Sequence, residues 1–338
     1  MISFNKMKIP NASFPIIVFC AIGFFQKVGT VLAGDQLREV IVSHTDEKGV
    51  LQLYRMNEDG TDSRQITHSK NGCRMPSCSP DRKKVAYVEQ IGHGLALRIS
   101  DLNGDNTKTL IGEGMNLVPS WVPDSEHLVW MKVKPQPKKQ DPARNAQIHI
   151  MNLKTGQSRK LFTHEEQLKH SNAMPAISPK GDRIAFVSDR SGQMRIWVSD
   201  LDGANANLVS PPDKEYDKEI KAPVEQKVPA WSPDGKWIAH WEGVEMIHMS
   251  KFTGIQNPER DRMFSSTFHV WIVSSDGKNR QKVGRGDDPT WSPDGFVTRA
   301  FPDPKRGGPK VMMRTQSGEK ELPIVPPKKN WGRFTWLP

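Results

Sequence analysis

The chain has 338 residues, of which 36% are hydrophobic and 25% charged, and an excess of Lys and Arg gives a net charge of +10. This is the composition of a soluble globular protein, and it excludes a low-complexity chain that cannot fold. The 26 Gly, 26 Pro and 10 Trp residues are typical of many short strands joined by tight turns.

Residues 1–33 have the order of a secretory signal. Lys6 and Lys8 precede an apolar run at residues 15–25, and the small or apolar residues 31–33 follow it, as before a signal peptidase site. The apolar run is short for a membrane span, so we predict a cleaved signal, with an uncleaved anchor as the alternative. Cleavage would lower the net charge from +10 to +7, because the segment holds three lysines and no acid.

Export changes the meaning of the basic charge. Outside the cytosol, an excess of cations favours solubility or attraction to anionic envelope polymers. We therefore expect a periplasmic or secreted protein that has no membrane span after signal cleavage and does not bind nucleic acid.

One refrain, Trp-Ser-Pro-Asp-Gly with variations, recurs along the chain at steps of 43, 56, 54, 60 and 45 residues. Steps just above forty residues match one propeller blade each, and the longer steps indicate loop insertions. We interpret the Trp position of the refrain as buried between neighbouring sheets, where a large ring contributes most. This position is filled by Cys78, Trp121, Ile177, Trp231, Trp291 and Trp336.

Each refrain is followed by two β-branched or aromatic runs, an Asp-Gly, Asn-Gly or Thr-Gly turn, and a short fourth run, which predicts an antiparallel meander of four strands. The last refrain, at Trp336, has no strand after it, and the first predicted strand, residues 40–43, has no refrain before it. We therefore expect residues 36–338 to form an all-β fold: a six-bladed β-propeller of four-stranded antiparallel blades, with the ring closed by the N-terminal strand.

Two cysteines remain after signal cleavage. An oxidising compartment permits a disulfide between Cys73 and Cys78. The alternative is that Cys78, which stands at a Trp position, is a small buried apolar residue.

Residues 183–203 (RIAFVSDRSGQMRIWVSDLDG) and 231–239 (WSPDGKWIA) resemble the repeats of the TolB family of β-propellers. The resemblance covers residues 38–338, the propeller part only, without the α/β domain that precedes it in TolB. It implies a propeller fold and a place in the cell envelope, where TolB binds a peptidoglycan-associated lipoprotein. Similar repeats also occur in prolyl-oligopeptidase-like enzymes and in oligogalacturonate lyases.

The turns between strands 1 and 2 and between strands 3 and 4 of each repeat form one end of the predicted propeller, here named the tight-turn face. The other connections form the opposite end, the long-loop face. All of the long segments fall on the long-loop face: residues 131–146, 163–173, 210–227 and 242–267. Long loops on a rigid scaffold concentrate binding function, and tolerated surface insertions are the alternative.

Candidate binding residues in these loops are cationic or imidazole side chains: Lys138, Lys139, Arg144, His164, His170, His248, Arg260 and Arg262. The histidine spacing matches no metal signature, and the sequence has neither a Gly-x-Ser-x-Gly elbow nor a phosphate-binding Gly-x-x-x-x-Gly-Lys loop. We therefore predict no catalytic residue, no metal and no cofactor.

These observations favour a monomeric, non-enzymatic scaffold that binds an envelope protein or an anionic polysaccharide through the long-loop face. The alternative is a polysaccharide lyase or hydrolase that uses His164, His170 and His248 around the pore.

Overall fold

Antiparallel strands form nearly all of the regular structure in the described part of the chain. The structure is a computed structural model, and it describes residues 37–134, 142–212, 214–218, 222–244, 267–303 and 305–338. The predicted signal over residues 1–33 lies outside these ranges. Residues 37–338 form one unit by their internal contacts.

The first strands in chain order are β1 (Glu39–Thr45), β2 (Leu51–Asn57), β3 (Arg64–Gln65), β4 (Cys73–Cys78), β5 (Lys84–Ile91), β6 (Gly94–Asp101), β7 (Lys108–Ile111), β8 (Met115–Trp121), β9 (His127–Val133), β10 (Ala146–Asn152) and β11 (Ser158–Lys160). The middle of the chain contains β12 (Asn172–Ile177), β13 (Arg183–Ser188), β14 (Arg195–Asp200), β15 (Asn207–Leu208), β16 (Tyr216–Asp217), β17 (Ala222–Trp231) and β18 (Trp237–Val244). The last strands are β19 (His269–Ser274), β20 (Arg280–Arg285), β21 (Asp287–Trp291), β22 (Val297–Asp303), β23 (Gly308–Thr315), β24 (Gly318–Leu322) and β25 (Trp331–Trp336). A 3₁₀ helix spans Pro142–Asn145, and one short helix, α1, spans Glu165–Leu168.

Hydrogen bonds join these strands into five sheets. Their orders are β25-β1-β2-β3, then β11-β10-β9-β8-β6-β5-β4 with β7 beside β6, then β12 to β15, β16 to β20, and β21 to β24. In the first sheet the N-terminal strand β1 lies between β2 and the last strand, β25, with Val40 opposite Trp336.

The expected ring of six separate four-stranded blades, closed by the N-terminal strand, is wrong as a description of these sheets. The described strands form five sheets, and three of them have four strands. The physical reason is a parallel bridge between Leu95 in β6 and Met115 in β8, which carries hydrogen bonding from one repeat into the next. The all-β propeller architecture itself stands.

The Ser-Pro-Asp-Gly part of the refrain builds its turn through one hydroxyl. Ser232 Oγ donates to Asp234 Oδ1 over 2.6 Å and accepts from the backbone N–H of Trp237 over 2.9 Å. Gly235 follows with a φ of +69°, which suits glycine. Ser292 makes the same bond to its own Asp, so the refrain specifies a tight connection between strands 1 and 2.

The core lies between neighbouring sheets, so the inner strands are buried on both faces. In β13, five of six residues are buried, and in β18 every residue after Trp237 is buried. The sequences of such strands are continuous runs of apolar or small residues, because both faces of each strand pack against protein. In the described residues no helix is long and apolar enough to cross a membrane.

Candidate functional site

Residues from all six refrain copies line one cavity of about 330 Å³. The lining includes the residue two positions before each Trp position: Pro76, Pro119, Pro175, Pro229, Pro289 and Phe334. The first strand of every repeat therefore contributes to the cavity, as expected for the axis of a propeller. The refrain predicts a structural role but not this cavity, because residues scattered over 260 positions meet only in the folded chain.

The backbone beside the cavity is strained in the same way in each copy. The residue three positions before each Trp position is left-handed, with φ between +44° and +83°: Met75, Val118, Met174, Val228, Asp288 and Arg333. In the first five copies the strand pairing shifts register at this point. Positive φ is costly for residues with a Cβ, and the residue before a proline ordinarily prefers an extended conformation. The sequence alone therefore does not predict these left-handed residues.

Two of these left-handed residues form the charged part of the lining. Arg333 Nη2 lies 2.7 Å from Asp288 Oδ1. Burial and the neighbouring Asp288 raise the pKa of Asp287 well above its usual range, although Arg333 opposes the shift. Most of the other lining residues are Pro, Val, Ser or aromatic, so charge in the cavity is confined to one side.

The Trp position of the refrain ties one repeat to the repeat before it. The indole Nε1 groups of Trp121, Trp231 and Trp291 donate to the carbonyls of Ser77, Ala176 and Ala230, over 2.9 to 3.0 Å. Cys78, Ile177 and Trp336 are buried at the same position, and Trp291 is partly buried. Among the described residues, Trp336 Nε1 has no hydrogen-bond partner.

The structure describes only some of the predicted binding residues. Lys138, Lys139, His248, Arg260 and Arg262 lie outside the described residues. Arg144 is described only as a backbone position in the 3₁₀ helix.

The two described histidines of the set flank α1. His164 is exposed and stands at the N-cap, whereas His170 Nδ1 lies 3.7 Å from Asp189 Oδ1. Within the ranges that the structure describes, no group of three or more His, Cys, Asp or Glu residues could hold a metal ion.

A buried polar network lies where β17 and β18 approach the long-loop face. His240 Nε2 is 2.8 Å from Ser210 Oγ, and Gln226 Nε2 donates to Ser210 Oγ and to Glu242 Oε2 over 3.2 and 2.9 Å. Arg280 Nη2 donates to the same Glu242 oxygen over 2.6 Å. Burial, with the Arg280 charge, lowers the pKa of His240 to about 3, so this imidazole is neutral.

The neighbouring charges are also buried. Lys227 Nζ lies 3.3 Å from Glu225 Oε2, with both side chains almost fully shielded, and 5.9 Å from the Trp241 ring centre. Buried ion pairs are costly to desolvate, and buried charges cluster at functional sites more often than elsewhere. The sequence alone did not predict this network, because its members come from separate strands and belong to no motif.

The disulfide considered between Cys73 and Cys78 is absent, since both thiols are free and buried. The two residues begin and end the same extended strand, roughly 16 Å apart along it, which is beyond disulfide reach. Burial raises the pKa of Cys73 to about 11 and that of Cys78 to about 12.

Comparisons with known proteins agree with this architecture. The sequence profile of the TolB beta propeller domain matches residues 37–269. The protein TolB homolog of Chlorobium luteolum is 28% identical over 161 residues, which cover 48% of this chain and 34% of the relative. The chain thus spans about a third of that relative's length.

Two solved structures share the fold. TolB from Acinetobacter baumannii superposes with a TM-score of 0.62 at 18% identity, over 87% of this chain and 66% of that one. An oligogalacturonate lyase in complex with manganese superposes with a TM-score of 0.52 at 14% identity, over 83% of this chain and 73% of that one. At such identities the likeness concerns the fold alone. The match to the propeller profile covers more than half of the sequence, and the chain therefore belongs to the TolB beta propeller domain family.

Proposed function

We propose that this chain is an exported, non-enzymatic scaffold that binds an envelope protein or an anionic polysaccharide through its long-loop face. The observation that carries the proposal is the one-sided placement of the long segments on a rigid family propeller. The TolB relatives support a protein-binding role in the envelope, and the signal-like residues 1–33 support a periplasmic or secreted location.

The basic segment between β9 and β10 is anchored at both ends by paired strands. β9 and β10 pair from Ala146 opposite Val133 onward, and the N–H of Lys134 donates to the carbonyl of Asn145 over 2.9 Å. The sequence between these anchors contains Lys138 and Lys139. These two lysines are the groups that we expect to meet an anionic partner.

The segment between β18 and β19 follows directly after a buried strand. Val244, the last residue of β18, is buried, and it lies two positions after Glu242 of the buried polar network. Within this network Gln226 bonds to both Ser210 and Glu242, and Arg280 bonds to the same Glu242 oxygen, so these side chains hold one another in place. The sequence that follows, residues 245–266, includes His248, Arg260 and Arg262.

Charge reversal on the two faces tests the proposal. A double variant, Lys138→Glu with Lys139→Glu, removes cations from the long-loop face. The matched control is Lys236→Glu with Lys278→Glu, because these exposed lysines lie in tight turns of the opposite face. Crosslinking in envelope extract, followed by affinity recovery, should show loss of a partner in the first variant and full recovery in the control. Equal recovery from both variants would overturn the role of this loop.

A further inference from the structure

Two arginines, one in the repeat of Trp231 and one in the repeat of Trp291, contact the same aromatic ring. The guanidinium carbon of Arg285 lies 5.5 Å from the centre of the Phe301 ring, and that of Arg299 lies 5.9 Å from it. Arg285 ends β20 and Phe301 lies near the end of β22. Both strands run toward the long-loop face, since β20 leads into a connection between strands 4 and 1 and β22 into one between strands 2 and 3.

Arg299 is held in a fixed position. Its Nε donates to the carbonyl of Arg285 over 2.9 Å, and its Nη2 donates to Glu319 Oε2 over 2.8 Å. Gly284 makes room for it, because a Cβ there would lie 2.9 Å from Arg299 Nε. Gly286, with a φ of +140°, brings the backbone so close to β22 that a Cβ would lie 2.5 Å from the Ala300 carbonyl oxygen.

One donor of each arginine is buried without a partner among the described residues. Arg299 is 7% exposed, yet its Nη1 is buried without a hydrogen bond in the described structure. Arg285 Nε is likewise buried and unpaired, and among the described residues the Arg285 side chain forms no ion pair. A buried N–H of a charged group without an acceptor is costly. In the part of the chain that the structure describes, Glu319 is the one acid paired with either arginine, through Arg299, so the two charges leave an excess of positive charge beside the ring.

We infer that Arg285 and Arg299 form a binding site for an oxyanion, a carboxylate or phosphate group. Guanidinium groups bind such oxyanions through charge-assisted hydrogen bonds, and both groups contact the Phe301 ring through cation–π interactions. The inference rests on the proposed function in placing an anionic group on the long-loop face. It adds a specific subsite, in residues that the loop hypothesis does not include.

Thermal unfolding of the purified full chain in small anions tests the site without any cellular partner. The probes are inorganic phosphate and sodium glucuronate, each compared with chloride at equal ionic strength. Arg285→Gln removes one donor group and breaks no hydrogen bond among described residues, and the exposed Lys278→Gln makes the same charge change on the tight-turn face. At roughly ten times Kd, the effective anion should raise the Tm of the wild type by about 2 to 4 °C.

The inferred site requires that Arg285→Gln abolishes this shift and that Lys278→Gln retains it. A response to phosphate alone assigns the site to phosphates, and one to glucuronate alone assigns it to carboxylates. No response to either anion, or an undiminished response in Arg285→Gln, overturns the inference. Because these probes bypass the crosslinking experiment, failure of the subsite is distinguishable from failure of the scaffold role.

Discussion

The indole of Trp231 donates a 2.9 Å hydrogen bond to the carbonyl of Ala176, the residue just before the equivalent position in the preceding repeat. The refrain is thus both a packing position and a joint between repeats. Its tryptophans differ in one respect, because the Nε1 of Trp336 has no partner among the described residues.

This difference permits a matched test of the joint. Trp231→Phe and Trp336→Phe both remove ring area from a buried site that an arginine also contacts, Arg183 in one case and Arg38 in the other. The first variant also removes the indole hydrogen bond to the Ala176 carbonyl, which keeps its strand pairing with β13. We expect it to lower the free energy of unfolding by about 1 kcal/mol more than the second, as measured by urea titration. Equal losses would show that the hydrogen bond contributes nothing.

The turn at Gly104 should not tolerate a side chain. Gly104→Ala would place a Cβ 2.1 Å from the Ile66 carbonyl oxygen at a φ of +92°. Gly192, at +93°, has no atom within 4 Å of its Cβ position. We expect Gly104→Ala to cost at least about 3 kcal/mol and Gly192→Ala about 1 to 2 kcal/mol. Denaturant unfolding measures both, and similar values would contradict the close approach.

The buried imidazole of His240 should make stability depend on pH. Its folded pKa of about 3 lies below the ordinary 6.5, so between these values the unfolded chain binds the extra proton. Stability from this group is complete above about pH 6.5 and is lost as the pH falls. The loss should reach about 2 kcal/mol at pH 5.

His240→Gln should flatten the dependence of the free energy of unfolding on pH between 7 and 5. His149, whose pKa burial lowers to about 4, acts in the same direction and remains in the variant. The exposed His93→Gln is the control and should leave the slope unchanged. A slope that His240→Gln does not alter would mean that burial does not lower the pKa of His240.

The two buried thiols should be unreactive until the chain unfolds. Their raised pKa values and burial keep them as thiols, which are poor nucleophiles. In a Cys20→Ser background, a thiol reagent should label no cysteine in the native protein and two after denaturation without reductant. A denatured count of zero would indicate a disulfide.

The sequence was informative where local chemistry decides the structure. The Ser232–Asp234 turn follows from residues within one refrain, and the periodic refrain led to the correct propeller family. The number of sheets could not be predicted, because a single bridge between Leu95 and Met115 decides whether two repeats count as one sheet.

The candidate sites were harder to predict because long-range geometry creates them. The left-handed Val118 precedes a proline, where local preference points to an extended residue. Arg285 and Arg299 belong to no motif, and a fold is needed to bring them to Phe301. The short spacing of Cys73 and Cys78 suggests a disulfide, and their place at opposite ends of one strand excludes it.

The indole hydrogen bonds join some neighbouring repeats and not others, so the contacts between repeats should differ in their resistance to local opening. Cys78 and Ile177 have no side-chain N–H to donate to the repeat before them, and the indole of Trp336 is unbonded in the described structure. Native-state hydrogen exchange should therefore be faster beside β4, β12 and β25, while the stretch joined through Trp231 and Trp291 exchanges as one cooperative unit. The propeller can therefore open locally beside these strands while its other sheets stay folded.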